Sequence, residues 1–164
     1  MMRIGRRNIE WSKKRVWMSA LITAVIMFAF IGSAQALQKR DLRRSHNGGM
    51  VDMDVVFMNP LQQNPGTSSD LIFEIRMNTH SVNLDSFKLE ELALLSNDVG
   101  DQARPVKLDN PAGGGHHRSG ILRFPAQTLD GKNLIRGGVN SIELVIRDVA
   151  GVPERIFRWE LPLQ

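Results

Sequence analysis

The sequence predicts an all-β domain, a sandwich of seven short strands, and three observations carry that reading. In segment after segment the apolar side chains fall on every second residue, the period of a strand with one buried face. Clusters of Gly, Pro, Asn and Asp separate these segments, as tight connections require. The chain has 164 residues and no cysteine, so a packed core rather than disulfides has to hold the domain together.

The first alternating segment is VDMDVVFM, in which Val51, Met53, Val55 and Phe57 share one face and Asp52 and Asp54 the other. LIFEIRM repeats the pattern, with Leu71, Phe73, Ile75 and Met77 set against Glu74 and Arg76. A third strand is expected around Leu92 and Leu94, but Phe87, Leu89 or Glu90, and Leu94 of SFKLEELALL also fit one face of a short helix, and both readings stay open. A short piece at Pro105 to Leu108 makes the fourth strand. GILRF turns Leu122 and Phe124 inward, SIELVIR turns Ile142, Leu144 and Ile146, and IFRWEL turns Phe157, Trp159 and Leu161. NPLQQNPGTSSD, NTHSVNLD, NDVGDQ, DNPAGGG, LDGKN with RGG, and DVAGVP read as the connections. Seven such strands in roughly 110 residues is the pattern of a β-sandwich. The inward phase defines its core as Val51, Val55, Phe57, Leu71, Phe73, Ile75, Leu122, Phe124, Ile142, Leu144, Ile146, Phe157 and Trp159.

Ahead of the domain the pattern changes. A basic region reaches to Arg15, an apolar run follows from Val16 to Gly32, and Ala34-Gln35-Ala36 supplies an A-x-A site with cleavage after Ala36. This is the layout of a secretory signal. The 17 apolar residues also reach the lower limit of a spanning helix, and KRDLRR behind them resembles a juxtamembrane flank, so an uncleaved anchor is the alternative. In both cases the charge excess before the apolar run keeps the N-terminus inside and exports the body. The organisation expected is therefore a signal peptide or membrane anchor over residues 1–36, a polar linker over 37–48, and the sandwich over 49–164. HNGG ends the linker as a turn, with His46 solvated.

The basic pI near 10.0 comes from the leader alone. Residues 1–36 carry a balance of +5 within a total of +4, which leaves the body near neutral. A near-neutral body lacks the clustered Lys and Arg that hold phosphate backbones, which argues against a nucleic-acid partner. The membrane enters only through the N-terminal segment.

The closing stretch SIELVIRDVAGVPERIFRWEL resembles the last hairpin of bacterial immunoglobulin-like domains, in which an aspartate-x-alanine-glycine turn joins two alternating strands. NTHSVNLD, GGGHHRSG and IRDVAGVPER are similar to segments of an uncharacterised family of small exported proteins. The resemblance implies an immunoglobulin-like sandwich and no particular activity. The cysteine pair and the tyrosine corner of antibody domains are both missing.

Candidate chemistry is sparse. Ser119 follows two histidines, but HHRSG is not the G-x-S-x-G elbow, and PAGGGHH lacks the lysine of a phosphate loop. The chain is therefore not expected to be an enzyme. Met50, Met53, Met58 and Met77 suggest soft copper ligation, but Met53 and Met77 already lie in the core phase, while Met50 and Met58 stay unassigned. The remaining candidates are histidines and acids in loops. On the immunoglobulin-like path, successive loops alternate between the two ends of the sandwich, so the loops holding His80 with Asp85, His116 with His117, and Asp148 share one pole. Adjacent histidines splay apart in an extended chain, so one of His116 and His117 would join His80. Such a site, His80 and His117 as metal ligands completed by Asp148 or Asp85, would take zinc or copper, or a small anion. The plainer reading makes the glycines a tight turn and the histidines loop-fixing hydrogen-bond donors. Two functions follow: a non-catalytic exported module docking a protein, glycan or small ligand, or an extracytoplasmic metal-binding protein. Cell fractionation with N-terminal sequencing is expected to find the body outside the cytoplasm, starting at Leu37 if the signal is cleaved; a cytoplasmic body would overturn the export reading.

Overall fold

Two antiparallel sheets face each other across one core. The computed structural model describes residues 37–62 and 69–163, and the expected signal or anchor helix lies outside the described residues. Among the described residues there are nine strands rather than seven: β1 (Arg43–Gly48), β2 (Val51–Phe57), β3 (Asp70–Thr79), β4 (Ala93–Asn97), β5 (Gln102–Ala103), β6 (Lys107–Gly114), β7 (His117–Pro125), β8 (Ser141–Val149) and β9 (Val152–Glu160). One sheet has the order β1-β2-β3-β7-β6 and the other β5-β4-β8-β9. The described residues thus form an all-β sandwich.

The two additional strands have different causes. β1 lies inside the stretch expected as polar linker, and RRSHNG has no apolar residue to announce a strand. It forms because the edge of β2 offers a full row of partners, from Arg43 opposite Val56 to Gly48 opposite Val51. Just before it, Leu42 is 1% exposed, so the supposed linker reaches into the core. β5 has only two residues, paired with Ser96 and Leu95 of β4, too few for a periodic signal.

Two other differences concern boundaries. β6 takes in DNPAGG, most of a stretch that the composition marks as a turn. It is an edge strand, where a proline costs no ladder bond on the solvent side, and the register shifts between Asp109 and Ala112 around Pro111. SFKLEELALL divides between the two readings left open for it: a single helical turn α1 (Leu89–Leu92) leads directly into β4.

Every residue of the expected core is buried, as are Met53 and Met77. The centre is aromatic. Phe57 stacks on Phe73 at 5.0 Å between centroids, and Phe124 meets Phe73 edge-on at 5.6 Å. Trp159 reaches across from the other sheet to 5.3 Å from Phe73 and 6.0 Å from Phe57. Its indole Nε1 donates to the Leu42 carbonyl at 2.8 Å, so the buried polar atom of the ring is satisfied.

β9 also closes the flank of the sandwich against β1. Its inward row of Arg155, Phe157 and Trp159 meets the inward row of Gly48, His46 and Arg44. The Arg44 guanidinium lies 5.7 Å from the Trp159 ring centroid, and His46 packs edge-on to Phe157 at 6.5 Å. His46 is consequently half-buried with its Nδ1 enclosed and unpartnered, not solvated in a turn. Arg155 is 0% exposed and has no carboxylate partner among the described residues. It donates instead to the carbonyls of Val149 at 2.8 Å and Gly48 at 2.8 Å, while burial pushes its pKa down. One side chain thereby ties the β1–β2 hairpin to the β8–β9 hairpin.

Truncating Trp159 or Phe73 to alanine is expected to cost about 3 to 5 kcal/mol. Arg155→Met is expected to cost about 2 kcal/mol through the carbonyls it leaves unpaired. Urea unfolding measures both, and a loss below about 1 kcal/mol at Trp159 would contradict its place in the core.

Candidate functional site

Three two-residue hairpin turns, Gly49-Met50, Gly115-His116 and Ala150-Gly151, belong to one end of the sandwich, together with the connection that follows β3. Bonds between neighbouring connections define this pole. Thr79 Oγ1 donates to the Met50 carbonyl at 2.5 Å, which joins the first turn to the end of β3. The Thr79 amide donates to the His116 carbonyl at 3.0 Å, and the Leu84 amide to the Gly115 carbonyl at 2.8 Å, which joins β3 and its connection to the second turn. Arg155 ties the third turn to the first.

GGGHHRSG is divided between strand and turn. Gly113 lies in β6 at φ +75°, where an added Cβ would stand 2.1 Å from the His117 carbonyl oxygen, so only glycine fits. Gly115, at φ +61°, opens the turn itself, and His116 completes it. The expected tight turn is therefore Gly115-His116, with Gly113 and Gly114 paired in β6.

The five sequence-predicted residues all belong to strands or connections that meet at this pole, but in separate environments. Asp85 accepts the Gly115 amide at 3.0 Å and so secures the turn. His117 is exposed, with Nδ1 2.9 Å from Asn78 Oδ1, its register partner across the β3–β7 ladder. His116 is exposed and takes part through its backbone. His80 is exposed beside Met50, Asp52 and Asn78. Asp148 is exposed near the end of β8 at φ +55°. Among the described residues no three His, Asp or Glu side chains come together as a metal site, so the expected set of His80, His117 and Asp148 or Asp85 is not assembled.

Two residues that the sequence reading left without a role shape the pole. Arg118 Nη1 donates to the carbonyls of Leu84 at 2.9 Å and Phe87 at 2.6 Å, holding the β3–α1 connection against β7. Asn78 orients His117. The signal was present in Arg118: the β7 alternation that buries Leu122 and Phe124 also turns Arg118 inward, where a cation needs acceptors.

Beside the pole, the outer face of β3, β7 and β6 carries a shallow groove of about 430 Å³. Glu74, Arg76, Asn78, His117, Ser119 and Ile121 line it, with Ala112 and Gly113 as small residues on the β6 side. Ion pairs hold the charged wall in place. Glu74 receives Lys39 Nζ at 2.5 Å and Arg76 Nη2 at 2.8 Å. Burial pushes the Glu74 carboxyl up, but the two cations outweigh it and hold its pKa below the ordinary 4.5.

The fold and this surface define a β-sandwich domain with a polar groove and a loop pole. No family model matches the chain, and no curated protein matches it in sequence. Among solved structures, a DUF4426 family protein from Pseudomonas aeruginosa PAO1 is similar at a TM-score of 0.37 and 10% identity, covering 73% of this chain and 92% of that one.

Arg118→Ala is expected to cost about 2 kcal/mol, because two carbonyls lose a charged donor. His116→Ala is expected to change stability by less than about 0.5 kcal/mol. Chemical unfolding of the two variants checks the contrast, which reverses if the imidazole rather than the guanidinium holds the pole.

Proposed function

We propose that the chain is an exported immunoglobulin-like β-sandwich acting as a non-catalytic binding module, with the groove on the outer face of the five-stranded sheet as its binding surface. Support for the immunoglobulin-like assignment comes from the strand order. Without the added edge strands β1 and β5, the sheets read β2-β3-β7-β6 and β4-β8-β9, which is the ABED and CFG arrangement of constant-type domains. Support for export comes from the basic region, apolar run and A-x-A site of residues 1–36.

The observation that carries the binding role is the groove itself. Its floor of Ala112, Gly113 and Ser119 brings backbone within reach of a ligand, and its walls offer a guanidinium, amides and an imidazole already held by neighbours. Such pre-formed polar groups on a rigid sheet favour recognition over chemistry, and a protein segment or a small polar ligand both fit. A photo-crosslinking residue at Ser119 is expected to trap the partner in the native host, whereas the same residue at Arg147, exposed on the other sheet, is expected to trap none. Equal crosslinking from both positions, or none from Ser119, would remove the groove from the proposal.

A further inference from the structure

A methionine of the β1–β2 turn and a histidine just after β3 line one groove. Val51 stands opposite Thr79 and Asp52 opposite Asn78, and Met50 and His80 follow directly beyond the last pair of this ladder. The hydrogen bond from Thr79 Oγ1 to the Met50 carbonyl fixes the two backbones next to each other at this point. Met50 and His80 then line one groove of about 260 Å³ with Asp52 and Asn78.

Met50 does not behave as core filler. It is 53% exposed, while Met53 and Met77, its neighbours along β2 and β3, are 0% and 1% exposed. Among the described residues neither His80 nor Asp52 has a side-chain hydrogen bond or ion pair, so both are available to a ligand. The donors at this groove are thus one soft sulfur, one imidazole and one carboxylate.

We propose that Met50 and His80 form a binding site for monovalent copper. Zinc sites are built from four Cys, His or carboxylate donors, and no such group gathers among the described residues. A thioether is a poor ligand for zinc but selects Cu(I), and imidazole suits copper as well. Cu(I) is satisfied by few ligands, which matches a two-donor pair on an exposed turn. Binding is simple coordination by the Met50 thioether sulfur and a neutral His80 nitrogen, with no change in oxidation state. The site shares Asn78 with the groove assigned to partner binding, but neither of its two ligands lines that groove, so either can fail without the other.

The test is anaerobic titration of the full chain with Cu(I) in competition with a chromophoric chelator, repeated with Ag(I) as a redox-inert probe and followed by NMR. The expected result is one equivalent bound, with shifts of the Met50 methyl and His80 ring resonances. Met50→Leu and His80→Ala each weaken binding at least tenfold, and Met58→Leu leaves it unchanged. The apolar Met50→Leu replacement on an exposed turn keeps the fold, so a loss of binding there reads the sulfur itself. The proposal is overturned if wild type binds no tighter than millimolar, or if Met50→Leu binds as tightly as wild type.

Discussion

Contact between Trp159 and Phe73 joins the two sheets, and most of the rest of the molecule is arranged around it. In a chain without cysteine no covalent bridge can do this, so the inter-sheet link has to be a packed one. Aromatic rings suit the task because each buries a large area and prefers tilted or offset contacts at 4.5–7 Å, as the Trp159, Phe57, Phe73 and Phe124 cluster shows. The indole N–H then determines what lies beside the cluster. It needs an acceptor, finds the Leu42 carbonyl, and so draws the chain ahead of β1 into the core.

A second polar anchor serves the pole in the same way. Arg155 sits in the inward row of β9 where a hydrophobic residue would ordinarily pack, and its guanidinium spends its hydrogen bonds on backbone carbonyls of two hairpin turns. A fully buried cation without a carboxylate is costly, and those carbonyls are what make it tolerable. The consequence is positional. The turn carrying Met50 and the turn carrying Ala150 are linked through one side chain, while Arg118 and Asp85 link the β6–β7 turn to the connection after β3. The pole presents its exposed histidines on a framework that is itself well bonded, which is how surface loops come to hold side chains ready for a ligand.

The histidines illustrate how one motif divides between structure and chemistry. In GGGHHRSG the glycines answer to backbone geometry, Arg118 to the carbonyls beneath it, and His117 to Asn78. His80, which the sequence places in a different loop, has no side-chain hydrogen bond among the described residues, and it shares its groove with a methionine rather than a second histidine. Convergent His and Asp residues do not point to such a pair, although Met50 is one of the methionines whose thioether suggests copper and whose place the sequence leaves open.

Period-two alternation by itself determined the inward phase of β2, β3, β7, β8 and β9, and with it the core, because burial of one face forces every second residue to be apolar. That His80, Asp85, His116, His117 and Asp148 would gather at one end of the sandwich is an expectation from an assumed immunoglobulin-like path rather than from the alternation itself. Only the tertiary structure decided β1, which has no apolar pattern and exists through its pairing with β2, and β6, whose proline and glycines are admissible at an edge. Only the tertiary structure, likewise, decided which side chains at the pole meet. Proximity across strands depends on register and on hydrogen bonds between turns, and neither is written in the spacing of residues along the chain.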